Sequence, residues 1–404
     1  MSMKAFLKAG HPPTLFSAFF YFDLSFMVWV LLGPLAVQIA ADLHLDAAQK
    51  GLMVAVPTLA GAVLRVVMGI LVDHLRPRTA GIIAQVFVLA GLGLAWIFGV
   101  HSFAHVLLLG VVLGMAGASF AVALPLASRW YPPEHQGTAL GIAGAGNSGT
   151  VLASLFAPAL AVAVGWNNVI GLAAIPLLVA FLVFLLFAKD APNPPRAKRP
   201  SEYMAVLKQP EAWAFMGFYG VTFGGFVGLA SSLPIYFNTQ YGLPPIAAGL
   251  FTAACVFAGS MVRPVGGALS DRFGGVKVLT VMYALAALML GLVSLNLPVP
   301  MLALAVLVVG MLALGMGNGA VFQLVPQRFG REIGVMTGLV GMAGGVGGFY
   351  LASSLGLSKQ YTGGYQAGFL GFALLALVAL LGLVGVRRRF KTVRASAQTA
   401  AASV

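Results

Sequence analysis

The sequence "AGAVLRVVMGILVD" (residues 60–73) recurs later in the chain as "AGSMVRPVGGALSD" (258–271), at a constant offset of 198 residues. Glycine, arginine, glycine, leucine and aspartate fall at matching places in the two copies, which are Gly61, Arg65, Gly69, Leu71 and Asp73 in the first and Gly259, Arg263, Gly267, Leu269 and Asp271 in the second. Further glycines match beyond these copies, at 137, 141 and 144 against 334, 338 and 341. The repeat predicts a chain made of two similar halves, an arrangement typical of transporters with a central site.

The composition is that of a membrane protein. Of the 404 residues 60% are hydrophobic and only 8% are charged, and the mean hydropathy is +0.97. Apolar runs long enough to cross a bilayer, about 20 residues each, recur along the chain at 14–40, 51–72, 79–100, 104–128, 137–161, 166–188, 211–237, 246–270, 277–296, 300–324, 332–356 and 364–386. We therefore expect an all-α polytopic membrane protein with twelve transmembrane helices in two pseudo-symmetric six-helix bundles.

The expected domain boundaries follow from the repeat and from a change in composition. Residues 188–210 are rich in proline and charge. We expect an N-terminal bundle at 1–188, a cytoplasmic linker at 189–210, a C-terminal bundle at 211–386 and a basic cytoplasmic tail at 387–404.

The net charge of +13 orients the chain and does not indicate a nucleic-acid partner. If both termini are cytoplasmic, nineteen of the 23 Lys and Arg residues fall inside and only Lys50 and Lys359 fall outside. This bias predicts a multi-pass protein of the cytoplasmic (inner) membrane, with the lipid bilayer as its surroundings. The single cysteine, Cys255, excludes a disulfide framework and a multi-cysteine metal site. We expect no metal, no cofactor and a monomer.

The two remaining basic residues, Arg65 and Arg263, lie inside predicted helices. Each precedes the aspartate that ends its copy of the repeat by eight residues, about 12 Å of helix, which places both near the bilayer midplane. A charge there costs at least about 2.5 kcal/mol. The alternative is a structural salt bridge, but only Asp23 lies clearly inside a span, near the cytoplasmic end of helix 1. Because a guanidinium matches an oxyanion well, we predict that an anionic substrate neutralises the two arginines.

Two sets of motifs resemble known families. The pattern G-x-L-x-D, ending at Asp73 and at Asp271-Arg272, resembles the cytoplasmic loop motif of the major facilitator superfamily, although His74 departs from it in the first copy. "GIAGAGNSG" (141–149) and "GLVGMAGGVGG" (338–348) resemble the paired signatures of its nitrate/nitrite porter family. "FDLSFMVWVLLGPL" (22–35) and "FGGFVGLASSLPIYF" (223–237) are similar to helices 1 and 7 of that family. The resemblance implies the major facilitator fold. It also implies that the protein is a secondary transporter of nitrate and nitrite and is not an enzyme.

The resemblance also implies a binding site. Arg65 and Arg263 would surround the anion, with Phe120, Asn147, Tyr219 and Phe223 shaping a flat slot and donating hydrogen bonds. Without the resemblance, these four residues are equally consistent with ordinary packing, helix–helix hydrogen bonds or an interfacial aromatic. Asn318 and Asp23 are further candidates. The signature glycines predict close-packed surfaces on which the halves slide, with static packing as the alternative: Gly141, Gly144, Gly146, Gly149, Gly338, Gly341, Gly344 and Gly345.

The energy source has two candidate forms, proton-coupled nitrate symport and nitrate/nitrite antiport. No histidine falls near the midplane, and Asp23 is the one acid that could carry a proton there. The compact chain resembles the shorter family members, so we favour symport over antiport. Rival hypotheses are a transporter for another small anion and a nitrate-binding membrane receptor.

Overall fold

The computed structural model describes residues 3–192, 200–329 and 333–401. Residues 193–199 of the predicted linker and the last three residues of the predicted tail lie outside the described residues. Over the described ranges the chain is helical and contains no strand. Twelve of these helices are long and apolar enough to cross a membrane, as the hydropathy predicts.

The twelve crossing helices match the predicted runs to within a few residues at most ends. Numbered 1 to 12 in chain order, they are Pro12–Asp42, Ala47–Leu75, Pro77–Phe98, Phe103–Ser128, Ala139–Val164, Trp166–Phe187, Pro210–Tyr241, Pro245–Phe273, Gly275–Val293, Pro300–Val325, Val335–Thr362 and Gln366–Gly385. The helical backbone begins earlier in helices 5 and 11, at Pro133 and Ile333. It ends later in helices 10 and 12, at Arg328 and Ala401. Two short helices flank the first bundle, Met3–Lys8 and Pro200–Leu207.

The helix ends carry the residues that physical chemistry favours there. Proline occupies the first turn of many helices, including helices 1, 3, 7, 8 and 10, where its missing N–H costs nothing. Helix 2 begins with a capping box in which Asp46 and Gln49 satisfy each other's backbone amides. Gly242 ends helix 7 with a positive φ of 67°, a conformation that favours glycine.

Four helices are interrupted part-way through the membrane. Helix 1 divides into Pro12–Trp29 and Leu32–Asp42, and helix 4 into Phe103–Gly117 and Phe120–Ser128. Helix 5 contains a 3₁₀ turn at Ala145–Ser148, and helix 8 divides at Val262 into Pro245–Met261 and Arg263–Phe273. Prolines at 34 and 264, which lack an N–H, accompany the breaks in helices 1 and 8. Irregular backbone at this depth is tolerated where it is buried in protein or lines a cavity.

The two halves touch closely at one end of the bundle. We call the end where helix 1 begins the terminal face, and the opposite end the far face. Near the far face, helices 1 and 7 meet at Gly33, where a Cβ would lie 2.7 Å from the Ser231 carbonyl oxygen. Helices 2 and 11 meet at Gly51, where a Cβ would lie 2.7 Å from the Gly356 Cα. Helices 5 and 8 meet at Gly249, with a Cβ 2.7 Å from the Ser154 carbonyl oxygen. The structure is therefore closed at its far face.

Candidate functional site

Arg65 is buried at the interface between the halves. Its side chain is only 1% exposed, and it lies ten residues before the end of helix 2, or about 15 Å along the axis. Nη1 donates a 2.7 Å hydrogen bond to the Gly341 carbonyl of helix 11, and Nη2 donates one of 2.8 Å to the Gly117 carbonyl of helix 4. Across the described residues, no carboxylate forms an ion pair with Arg65 or Arg263. The salt-bridge alternative therefore has no support in this part of the chain.

Local backbone structure supplies both acceptors of Arg65. At the break in helix 4, the Ala121 amide bonds to the Ala118 carbonyl at 3.0 Å, which leaves the Gly117 carbonyl to Arg65. On helix 11, a Cβ at Gly341 would lie 2.9 Å from the Arg65 Cδ. The missing side chain at 341 lets the arginine lie directly against the helix backbone.

Aromatic rings cover the Arg65 guanidinium. Its carbon lies 5.0 Å from the Phe120 ring centre, 5.6 Å from that of Phe223 and 5.7 Å from that of Trp29. These are cation–π distances, and each such contact gains strength when it is desolvated. Trp29, which we did not predict, fills the space that Gly61 and Gly117 leave open. Its indole N–H donates a 2.7 Å hydrogen bond to the Pro57 carbonyl on helix 2.

Arg263 has a different environment from Arg65. It is half-buried and begins the second segment of helix 8, immediately before Pro264. Its guanidinium carbon lies 5.4 Å from the Phe322 ring centre. Its buried Nη1 has no hydrogen-bond partner among the residues that the structure describes. The two arginines lie near enough to repel each other, and no carboxylate of the described residues forms an ion pair with either.

Tyr219 lies between these groups, on helix 7. It is fully buried and near enough to both guanidiniums to interact with their charge. Its ring stacks on Phe223 at 5.0 Å and 4°, and meets Phe322 edge-on at 5.0 Å and 89°. Within the described part of the chain its hydroxyl makes no hydrogen bond of good geometry. The Arg263 guanidinium is close enough to this hydroxyl for a weak interaction short of good hydrogen-bond geometry, and the charge of Arg65 also acts on it.

The two predicted asparagines are buried as well. Asn147 is 2% and Asn318 is 1% exposed, and neither side-chain carbonyl oxygen has a partner in the described ranges. Asn147 sits in the 3₁₀ turn of helix 5, and its backbone carbonyl accepts a 3.5 Å hydrogen bond from Ser260. Ser260 precedes Arg263 by one helical turn, so Asn147 lies beside helix 8. Asn318 is next to Gly319, which packs against the backbone of Arg263.

Asp23 lies deeper than we predicted. It is eleven residues into helix 1, about 16 Å from the terminal face, so its depth is close to that of Arg65. The predicted start at residue 14 already placed Asp23 nine residues into the helix, about 14 Å, so the description of it as near the cytoplasmic end understated its depth. The carboxylate accepts a 2.6 Å hydrogen bond from Ser148 and is 8% exposed. Asp23 therefore contacts the 3₁₀ turn that carries Asn147.

The signature glycines divide into two groups. Five allow close approach: Gly146 and Gly149 lie against helix 1, Gly341 against Arg65, Gly344 against Tyr219 and Phe223, and Gly345 against helix 2. At Gly141, Gly144 and Gly338, a Cβ would meet nothing within 4 Å. The prediction of close packing is therefore wrong for these three glycines in this conformation, because the helices diverge at their level.

The predicted loop motif lies at the terminal face. Asp73 pairs with Arg129, which follows helix 4, at 3.2 Å. Asp271 is exposed, and the Arg272 guanidinium lies 5.1 Å from the Phe273 ring centre. The two copies of the motif therefore make different contacts.

Sequence reasoning missed Trp29, Phe322, Ser148 and Ser260. Gly61, one turn before Arg65, was identified only as part of the repeat, and nothing in the sequence indicates that the Trp29 ring lies against it. Phe322 is one of 28 phenylalanines, and no local pattern distinguishes it from the others.

Comparison with known proteins adds to this geometry. A profile of the Major Facilitator Superfamily matches residues 15–352. The chain is 34% identical over 333 residues to the "Probable nitrate/nitrite transporter NarK2" of Mycobacterium tuberculosis, covering 81% of this chain and 84% of that protein. It is 31% identical over 387 residues to the "Probable nitrate/nitrite antiporter NarK1" of Thermus thermophilus, covering 88% and 87%.

A solved structure has the same fold. It is a bacterial homologue of the human lysosomal transporter Spinster in an inward-facing, unoccupied conformation. The TM-score is 0.69 at 18% identity, covering 94% of this chain and 97% of that chain.

Proposed function

Because the chain belongs to the Major Facilitator Superfamily and is a multi-pass membrane transporter, we propose that it carries nitrate, and also nitrite, between two symmetry-related arginines by alternating access. The observation that carries this proposal is the juxtaposition of Arg65 and Arg263, one from each half, with the buried Tyr219 hydroxyl close to both. The names of the two relatives supply the substrate.

The chemistry of the site fits a small, flat, monovalent anion. A planar oxyanion can accept parallel hydrogen bonds from a guanidinium edge. Arg65 Nε and Arg263 Nη1 are buried donors without a partner in the described residues, and the Tyr219 hydroxyl is a third donor. The rings of Phe120, Phe223 and Phe322 border the two guanidiniums. A flat slot between these rings would disfavour a bulky tetrahedral anion.

We propose that the terminal face is cytoplasmic and the far face is external. The distribution of lysine and arginine supports this orientation through the positive-inside rule. The structure then corresponds to a carrier closed toward the outside.

For the energy source, we propose proton-coupled nitrate symport with Asp23 as the proton carrier. Asp23 is buried at the depth of Arg65 and is bonded to Ser148, next to Asn147. Protonation of its carboxylate would change the hydrogen bond that connects helix 1 to the binding region of helix 5. Nitrate/nitrite antiport is the second candidate, favoured by the name of the Thermus relative.

Uptake of labelled nitrate into proteoliposomes tests the substrate and the coupling together. One set of vesicles is loaded with nitrite at equal pH, and a second set contains no nitrite but has an inward proton gradient. Uptake that follows the proton gradient supports symport, whereas uptake that requires internal nitrite replaces it with antiport. Absence of uptake in both sets, with nitrate binding retained, would indicate a receptor. Uptake of another anion that unlabelled nitrate does not inhibit would overturn the assignment of nitrate as the substrate.

A further inference from the structure

We infer that the hydrogen bond from Arg65 to the Gly341 carbonyl is a latch between the two halves, which holds the far face closed. Gly341 is then a positioning residue, and the two arginines have unequal roles. Arg65 carries the latch, and Arg263, whose Nη1 has no hydrogen-bond partner among the described residues, is the arginine that meets the anion first. The transport role of the latch rests on the proposed function, although the latch itself does not depend on the identity of the substrate.

The first argument is that Arg65 joins both halves through its two terminal nitrogens. Gly117 belongs to helix 4 of the first half and Gly341 to helix 11 of the second, and the two bonds are 2.8 and 2.7 Å long. Hydrogen bonds from a charged donor are stronger than neutral ones, and low local polarity strengthens them further. At 1% exposure, Arg65 has almost no contact with water that could replace a lost carbonyl. Separating helices 2 and 11 at this level therefore breaks a strong bond.

The second argument is the position of the bond along the contact between helices 2 and 11. This contact starts near the far face at Gly51 and Gly356, continues where Ala62 packs on Gly345, and reaches Gly341. One turn further toward the terminal face, a Cβ at Gly338 would meet nothing within 4 Å. Among these glycine contacts, the one between Gly341 and Arg65 lies nearest the terminal face. Opening the far face requires this whole contact, including its charged end, to separate.

The third argument is the contrast with the second arginine. By the internal repeat, the counterpart of Gly341 is Gly144 on helix 5, and the counterpart of Arg65 is Arg263. A Cβ at Gly144 would meet nothing within 4 Å, whereas one at Gly341 would meet the Arg65 Cδ. Arg263 Nη1 has no partner in the described residues. Of the two arginine–glycine pairs related by the repeat, Arg65 with Gly341 therefore forms the latch, whereas Arg263 with Gly144 leaves open space.

The latch is tested by measuring the distance between helices 2 and 11 at the far face, without nitrate. The protein carries Cys255→Ser, which removes a buried cysteine, and spin labels at Lys50→Cys and Tyr361→Cys. Gly341→Ala places a methyl group against the Arg65 Cδ, and Gly338→Ala on the same helix is the matched control with open space. Double electron–electron resonance in nanodiscs gives the ratio of open to closed far faces.

We expect Gly341→Ala to raise that ratio by about tenfold or more, the effect of losing one charged hydrogen bond, and Gly338→Ala to leave it unchanged. Arg65→Gln, which cannot donate to both carbonyls, should act like Gly341→Ala and replaces it if that variant does not fold. Equal distance distributions for all the variants and the parent would overturn the latch. The distance measurement contains no nitrate, so it does not depend on the substrate. A shift in the ratio of open to closed far faces, combined with absence of nitrate uptake, would support the latch and reject only nitrate as the substrate.

Discussion

At the scale of single residues, the arginines were predictable and their surroundings were not. A charge in an apolar run is conspicuous in a sequence, so Arg65 and Arg263 could be identified from their cost in a bilayer. The carbonyls of Gly117 and Gly341 could not, since every residue has a carbonyl and only the fold decides which of them is free. Trp29 and Phe322 were missed for a related reason, because apolar rings in apolar helices carry no local signal.

Arg263→Lys tests the role of the guanidinium fork. Lysine keeps the positive charge but is a point donor, so we expect nitrate uptake at a given concentration to fall by about 100-fold, equivalent to two charged hydrogen bonds. Arg328→Lys is the control, because Arg328 is a partly exposed arginine at the terminal face, 3.8 Å from Glu211. Initial uptake rates in proteoliposomes measure both variants. Near-normal uptake by Arg263→Lys would contradict a site built on two arginines.

Tyr219→Phe separates the hydroxyl from the ring. The ring still stacks on Phe223, and the hydroxyl has no partner of good geometry among the described residues, so the melting temperature should change little. We expect nitrate affinity to fall by about tenfold, the effect of one hydrogen bond. Tyr283→Phe should do the reverse, because the Tyr283 hydroxyl donates a 2.8 Å bond to the Phe218 carbonyl. If both variants bind nitrate equally well in titration calorimetry, Tyr219 does not contact the anion.

Asp23→Asn tests proton coupling. Asparagine has nearly the same shape and can still accept the Ser148 hydrogen bond, but it does not titrate. We expect uptake driven by a proton gradient to be lost, while exchange of nitrate across membranes at equal pH continues. A variant that still follows the proton gradient would exclude Asp23 as the carrier.

At the scale of elements, hydropathy predicted all twelve crossing helices but not their interruptions. Pro34 and Pro264 lie beside two of the breaks, and a proline can mark such a position. The break in helix 4 at Ala118–Ser119 and the 3₁₀ turn in helix 5 have no proline within them. At these two interruptions, the Gly117 and Asn147 backbone carbonyls accept hydrogen bonds from Arg65 and Ser260 on other helices, so these interruptions involve tertiary contacts that no single segment contains.

The glycines of helix 5 give a matched pair for helix packing. A Cβ at Gly149 would overlap the backbone carbonyl of Asp23, whereas one at Gly141 would meet open space. We expect Gly149→Ala to destabilise the protein by about 1–3 kcal/mol through overpacking and to lower its melting temperature. Gly141→Ala should be neutral or slightly stabilising, since alanine is the better helix former. Identical melting curves for the two variants in detergent would contradict the close approach of helices 1 and 5.

At the scale of the whole molecule, the charge distribution predicts the orientation. Tyr361 is 81% exposed at the far face, and Lys277 is exposed at the terminal face. In a Cys255→Ser background, we expect an impermeant maleimide to label Tyr361→Cys in intact cells and Lys277→Cys only after the membrane is opened. The reverse pattern would invert the topology and, with it, the assignment of the closed far face to the outside.

The two acceptors of Arg65 have a consequence for how this protein can vary during evolution. Main-chain oxygens cannot be mutated away, so no exchange of side chains on helices 4 and 11 removes the partners themselves. On helices 4 and 11, inherited changes can reach the contact by enlarging Gly117 or Gly341, whose added atoms would strike Trp29 and Arg65. In related sequences, such a contact would leave two positions that each keep a small residue, independently of each other. Methods that search for jointly changing pairs would therefore overlook it.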